Sequence, residues 1–217
     1  VIKFGVERQG VVGALTIYNG GNLVAKGTAD APIVFTSVSD DRLIDSNPLQ
    51  GAGDPAAGDW RGIKVDVTAN TEPNRVTELT NVEIHYAGAG DNPALLIESP
   101  NTQVNALKIT NGGGPGVRVN KANTSISDST IDGMDGHCIV FDTDNAIEPA
   151  LQRNTLAHCV AAVVIDPNVQ LDLGGNTARD NRLNGIQVEA GTLRGTRSWE
   201  AGDLPFVLDQ SLTIYRG

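Results

Sequence analysis

Apolar residues alternate with polar or small ones in a five-residue word that recurs seven times, at 62–66, 94–98, 116–120, 138–142, 162–166, 185–189 and 205–209. Gly62-Ile63-Lys64-Val65-Asp66 and Gly185-Ile186-Gln187-Val188-Glu189 illustrate its form. The second and fourth positions are always aliphatic or Phe, a period of two that belongs to a strand. Successive words start 32, 22, 22, 24, 23 and 20 residues apart. A repeat of that length marks a solenoid, in which each unit covers the apolar face of its neighbour. No stretch of 3.6-residue periodicity intervenes. The expected fold class is therefore all-β, a parallel β-helix with coils of about 20–24 residues.

A second column runs between the pentads: Leu79-x-x-Val82-x-Ile84, Val104-x-x-Leu107-x-Ile109, Ile126-x-x-Ser129-x-Ile131, Leu151-x-x-Asn154-x-Leu156 and Leu173-x-x-Asn176-x-Ala178. Each coil thus carries at least two strand faces. The middle position drifts from Val82 and Leu107 to Ser129, Asn154 and Asn176. Parallel strands stack about 4.8 Å apart, so amides at one level reach the copy above and below. An inward Asn ladder is expected, because buried amides need partners and the next coil supplies them.

Residues 1–217 read as a single β-helix segment. Short opening strands are expected at 1–4, 15–18, 23–25 and 33–36, separated by Gly and Asn turn sites. The pattern breaks at about 38–59, a loop ejected from one coil, and again at about 68–78, a smaller insertion that accounts for the 32-residue step. The stretch 191–203 reads as a turn region. The chain opens on Val1-Ile2-Lys3-Phe4 without an initiator Met or a leader, as expected of a processed piece or an excised segment.

Composition narrows the function. Aromatics are 4% and Gly is 25 of 217, which suits a narrow coil filled by Val, Ile and Leu. A net charge of −10 and a pI near 4.6 argue against nucleic acid, which requires a basic stripe. No apolar run is long enough to span a membrane as a helix. The two cysteines, Cys138 and Cys159, fall in successive coils but are offset around them. Two buried reduced thiols are the expectation, with a disulfide as the alternative.

Several phrases resemble a family. Ile2-Lys3-Phe4-Gly5, Gly27-Thr28-Ala29-Asp30-Ala31-Pro32-Ile33-Val34-Phe35-Thr36-Ser37, Trp60-Arg61-Gly62-Ile63 and Val82-Glu83-Ile84-His85-Tyr86-Ala87-Gly88 are similar to those of bacterial right-handed parallel β-helix repeat proteins of the pectin-lyase-like superfamily. The resemblance covers essentially the whole chain and implies a secreted or surface-attached protein. That fold hosts lyases, hydrolases, adhesins and passive stalks, so chemistry must be argued from residues. Right-handedness also agrees with the preference for right-handed crossovers.

Galacturonan hydrolases of that superfamily carry Asn-Thr-Asp, Asp-Asp, Gly-His-Gly and Arg-x-Lys phrases. The nearest fragments here, Asp142-Thr143-Asp144, Gly136-His137-Cys138 and Arg118-Val119-Asn120, match incompletely and in the wrong order. Lys64 and Arg118 point outward, but no stacked Asp group is expected around them, as a lyase would need. Acids close most pentads (Asp66, Glu98, Asp142, Asp166, Glu189 and Asp209), with Asn120 in the gap. Such a column could supply paired carboxylates for glycoside cleavage, although turn capping in water is the favoured reading. His137 and His158, with Asp132, Asp135 and Asp142, could form a metal site or an acid–base pair, and hydrogen-bonded turn histidines are favoured. Asp40, Asp41, Asp45 and Asp54 give the long loop oxygens for calcium, but not the alternating order of a calcium loop, so no cofactor is expected. At the pentad centres Leu96, Val140, Val164 and Val207 should form an outer apolar ridge, covered or in contact with a partner.

The expectation is an extracellular structural or adhesive β-helical segment of a bacterial surface protein or filament, without catalysis. The alternatives are a pectin-lyase-type polysaccharide lyase or glycoside hydrolase, or a carbohydrate-binding module, with polysaccharide as the partner. Leu-Thr-Ile-Tyr occurs at both 15–18 and 212–215, which suggests tandem modules or head-to-tail self-association.

Overall fold

The structure is a computed structural model that describes residues 1–6, 12–18, 21–42, 54–66, 76–99, 102–120, 122–142, 147–200 and 202–215. Strands β1 to β21 are numbered in chain order, and every pairing between them is parallel. A second face, continuous with a third, starts at β1 (Ile2–Phe4), β3 (Val24–Lys26) and β4 (Ile33–Ser37). The pentads form one sheet in the order β2 (Leu15–Tyr18), β5 (Ile63–Asp66), β7 (Leu95–Ile97), β9 (Val117–Val119), β12 (Ile139–Phe141), β15 (Ala161–Ile165), β18 (Leu183–Val188) and β20 (Phe206–Leu208). Each strand lies one coil beyond the last. The chain is an all-β parallel β-helix, as the repeat required.

The second sequence column resolves into two arms that meet at a corner. The first arm stacks β3, the opening halves of β6 (Thr77–His85) and β8 (Thr102–Gly112), then β10 (Thr124–Ser127), β13 (Ala150–Gln152) and β16 (Asp172–Gly174). The second stacks β1, β4, the closing halves of β6 and β8, then β11 (Thr130–Met134), β14 (Thr155–Ala157) and β17 (Thr177–Arg179). The corner residues Asn81, Ala106, Asp128, Arg153 and Gly175 all have positive φ, between 48° and 70°. Left-handed backbone costs a non-glycine residue about 1 kcal/mol, so the stacked arms on either side must enforce it. β19 (Gly191–Arg194) pairs with β21 (Leu212–Tyr215) in a small separate sheet, so 191–194 is strand where a turn was expected.

Inward alternation fills the coil. Ile63, Val65, Leu95, Ile97, Val117 and Val119 are fully buried, as are Leu79, Ile84, Ile109 and Ile131 from the arms. Trp60 is the largest buried side chain; its Nε1 donates to the His85 carbonyl at 2.8 Å, and its ring stacks on Phe4 at 4.1 Å. At the corner, the Leu107 N–H donates to Ser129 Oγ (3.1 Å), the Ser129 N–H to Asn154 Oδ1 (3.0 Å) and the Asn154 N–H to Asn176 Oδ1 (3.0 Å). The Asn176 N–H then donates to Asp203 Oδ2 at 2.9 Å, which closes the ladder. The expected inward Asn ladder is present, with an acid as its last rung.

The cysteine expectation is corrected: Cys138 and Cys159 form a disulfide. The turn from β11 into β12 brings their Cα atoms to 5.6 Å, within bridging distance despite the offset. Of the long loop, 43–53 lie outside the described residues, as do 67–75 of the shorter insertion. Thr77 and Glu78 already belong to β6. The two Leu-Thr-Ile-Tyr words are not equivalent, since β2 opens the pentad sheet and β21 belongs to the small one.

Candidate functional site

Period two places the third and fifth pentad positions on the same outer face, so cations at the third meet acids at the fifth. Lys64 Nζ lies 3.1 Å from Asp66 and 2.9 Å from Glu98 one coil on. Asn120 Nδ2 donates to Glu98 Oε1 at 3.0 Å, and Arg118 Nη1 approaches Asp142 Oδ2 at 3.6 Å. Lys64 thus has two acids beside it and Arg118 one, pairings not foreseen from the sequence, although they make no stacked Asp group. The signal was there in the shared face of positions three and five. Gln187 Nε2 ties to Asp209 at 3.1 Å, while Asp166 accepts from the Asn168 N–H at 2.7 Å, the turn-capping role expected. Burial, then the charges of Asp142 and Asp166, raise the pKa of Glu189 above the ordinary carboxylate value.

The histidine cluster does not assemble as one site. His158 Nδ1 pairs with Asp132 at 2.7 Å, with Asp180 3.9 Å from its Nε2. His137 belongs to the Arg118 side, and burial, then Arg118, lower its pKa. Of the calcium candidates, Asp45 lies outside the described residues, and Asp40 is engaged elsewhere. Among the described residues no three His, Cys, Asp or Glu side chains are placed to hold a metal. The expected ridge is divided. Val140 and Val164 are buried with Ala161 beside Leu183, whereas Leu96 and Val207 stay half-buried.

A cleft of about 460 Å³ that no sequence motif marks lies on the outer side of the second arm, lined by Arg42, Glu83, His85, Lys108, Thr110, Asn111 and Asp132. One wall begins at the fully buried Asp40 carboxylate, which accepts from Arg42 Nε (2.8 Å), Arg42 Nη2 (3.0 Å) and Thr36 Oγ1 (2.7 Å). The Arg42 bonds hold the pKa of Asp40 down at about 2. The guanidinium lies 5.3 Å from the centre of the Tyr86 ring, so the start of the long loop is pinned over β6. Beneath it, His85 Nδ1 is 2.7 Å from Thr110 Oγ1 and His85 Nε2 is 2.8 Å from Glu83 Oε2. Burial lowers the pKa of His85 against the opposing pull of Glu83. Lys108 Nζ stands 3.8 Å from Glu83 Oε1 at the open side.

Compared with known proteins, residues 42–194 match the family described as the right-handed β-helix region. Neither curated proteins nor solved structures yield a match.

Proposed function

Because the chain belongs to the right-handed β-helix family, we propose that it serves as an extracellular structural or adhesive rod, a segment of a bacterial surface protein or filament of pectin-lyase-like ancestry. The observation that carries this reading is that outward polar groups tie coil to coil. Lys64 reaches Glu98, Asn120 reaches Glu98, Arg118 faces Asp142, and Arg153 grips Asp128 with two bonds of 2.7 Å. Single exposed pairs contribute little, but a stack of them beside a buried ladder resists sliding between coils. The Cys138–Cys159 bridge favours an oxidising compartment, hence export.

A second reading, glycan cleavage, is favoured by the acids that close the pentads on one outer face, among which Glu189 feels the charges of Asp142 and Asp166. Incubation with uronans and neutral glycans, with and without calcium, separates the two. The rod predicts no new reducing ends and no unsaturated products. Cleavage that disappears in Glu189→Gln overturns it.

A further inference from the structure

Period two puts Glu83 and His85 on one outward row of β6, and the register sets Lys108 beside Glu83 and Thr110 beside His85 in the next coil. The result is a chain of two short hydrogen bonds, hydroxyl to imidazole (2.7 Å) and imidazole to carboxylate (2.8 Å), along the wall of the cleft. With Nε2–H donating to Glu83, Nδ1 presents its lone pair to the Thr110 hydroxyl. That is the arrangement by which a base activates a nucleophile while an acid orients the base. We propose that Thr110, His85 and Glu83 form a nucleophile–base–acid relay that hydrolyses short-chain carboxylic esters in this cleft.

The Lys64, Arg118 and Arg153 ties join a fixed cation to an acid, and His158 meets only acids; this one sets an imidazole nitrogen on a hydroxyl beside open space. The charges around His85 are Glu83 and Lys108 from the arms and Arg42 from the loop, with Tyr86 adjacent and Asp132, level with Thr110 in the next coil, on the same cleft. Burial outweighs Glu83 and lowers the pKa of His85, which favours the neutral ring that can accept a proton. Asn111, at φ +56°, brings its Nδ2 to 3.5 Å from Thr110 Oγ1, and Lys108 and Arg42 stand as cations on the same cleft. These donors suit the oxyanion that forms when a carbonyl is attacked.

In the first half-reaction Thr110 Oγ bonds to the acyl carbon and its proton passes to His85 Nδ1. The carbon–alkoxy bond then breaks, and the leaving alcohol takes that proton. In the second, water adds to the acyl-threonine, gives a proton to Nδ1, and releases the acid as Thr110 recovers its hydrogen. The relay is independent of the rod reading, which rests on coil-to-coil ties and whose test reads glycan-chain cleavage, not ester hydrolysis.

The test uses the full chain with p-nitrophenyl acetate, followed by acid quench and peptide mass spectrometry. The wild type should exceed free imidazole at equal concentration, and acetyl should be trapped on Thr110. Thr110→Ala and His85→Ala should each lose at least about 100-fold. Thr110→Ser should retain activity, and Glu83→Gln should lower kcat and alter the pH–rate profile, with each variant's fold checked by circular dichroism. A wild-type rate no higher than imidazole, acetyl found only on another residue, or full turnover in a folded Thr110→Ala overturns the proposal.

Discussion

Asn154 Nδ2 lies 3.0 Å from Asn176 Oδ1 and 2.9 Å from the Ile126 carbonyl, so one buried amide joins three successive coils. Its own Oδ1 accepts from the Ser129 N–H.

Asn154→Ala should destabilise the fold by about 2–3 kcal/mol, since it strands the Ser129 N–H and the Ile126 carbonyl in the interior. Urea denaturation followed by circular dichroism measures this. A midpoint unchanged from wild type would mean that water replaces the amide at the corner.

Reducing the Cys138–Cys159 bridge, or replacing both residues with Ala, should cost about 3 kcal/mol through the freed unfolded chain. The check is a pair of melting curves with and without reductant. The double variant should melt low in both and show no response to reductant.

The ladder was legible in the sequence because Ser129, Asn154 and Asn176 share a phase with flanking apolar residues. The pentad strands were legible for the same reason, their alternation being enforced by a narrow coil. The left-handed corner was not, because Ala106, Asp128 and Arg153 have no residue type in common; stacking, not propensity, imposes their conformation. The disulfide was obscured by the offset between strand registers, since Ile139 is level with Val163 and not with Val160. The relay residues His85 and Thr110 lie in different coils, and only the arm register brings them together.

Val163→Asp or Ile186→Asp should prevent folding. Both side chains are fully buried and sit level in β15 and β18, where an unpaired carboxylate meets only hydrocarbon. Val207→Asp, at a half-buried outward position, should fold. Circular dichroism of the three purified variants distinguishes inward from outward directly.

Acid should loosen the Arg42 wall of the cleft. Asp40 has an ordinary value of 3.8 and a folded value of about 2, so its contribution is fully present above about pH 4 and is lost as pH falls through about 2. Carboxyl chemical shifts followed by NMR should report this titration, and Arg42→Ala should move it upward, because the Arg42 bonds are the main cause.

Tyr18 and Val24 at one end, and Leu208 and Ile214 at the other, are half exposed or more, on strands with an edge unpaired among the described residues. End-to-end association of copies, or pairing with a tandem module, would cover them. Sedimentation at rising concentration should reveal growing species, and replacing Tyr18 and Ile214 with Lys should abolish them. A monomer at every concentration would remove the self-association reading.

Leu79 to Ile84, Val104 to Ile109, Ile126 to Ile131, Leu151 to Leu156 and Leu173 to Ala178 span the same five-residue interval, whereas the spacing from these arms to the pentads varies from coil to coil. A single residue added between the arms would turn alternate side chains from hydrocarbon to water on every strand it displaced. Additions at the other two corners only lengthen an excursion. Foreign peptides grafted into this rod should therefore be accepted before or after a pentad and refused at the Asn corner, which makes the corner the fixed edge against which a display scaffold can be lengthened.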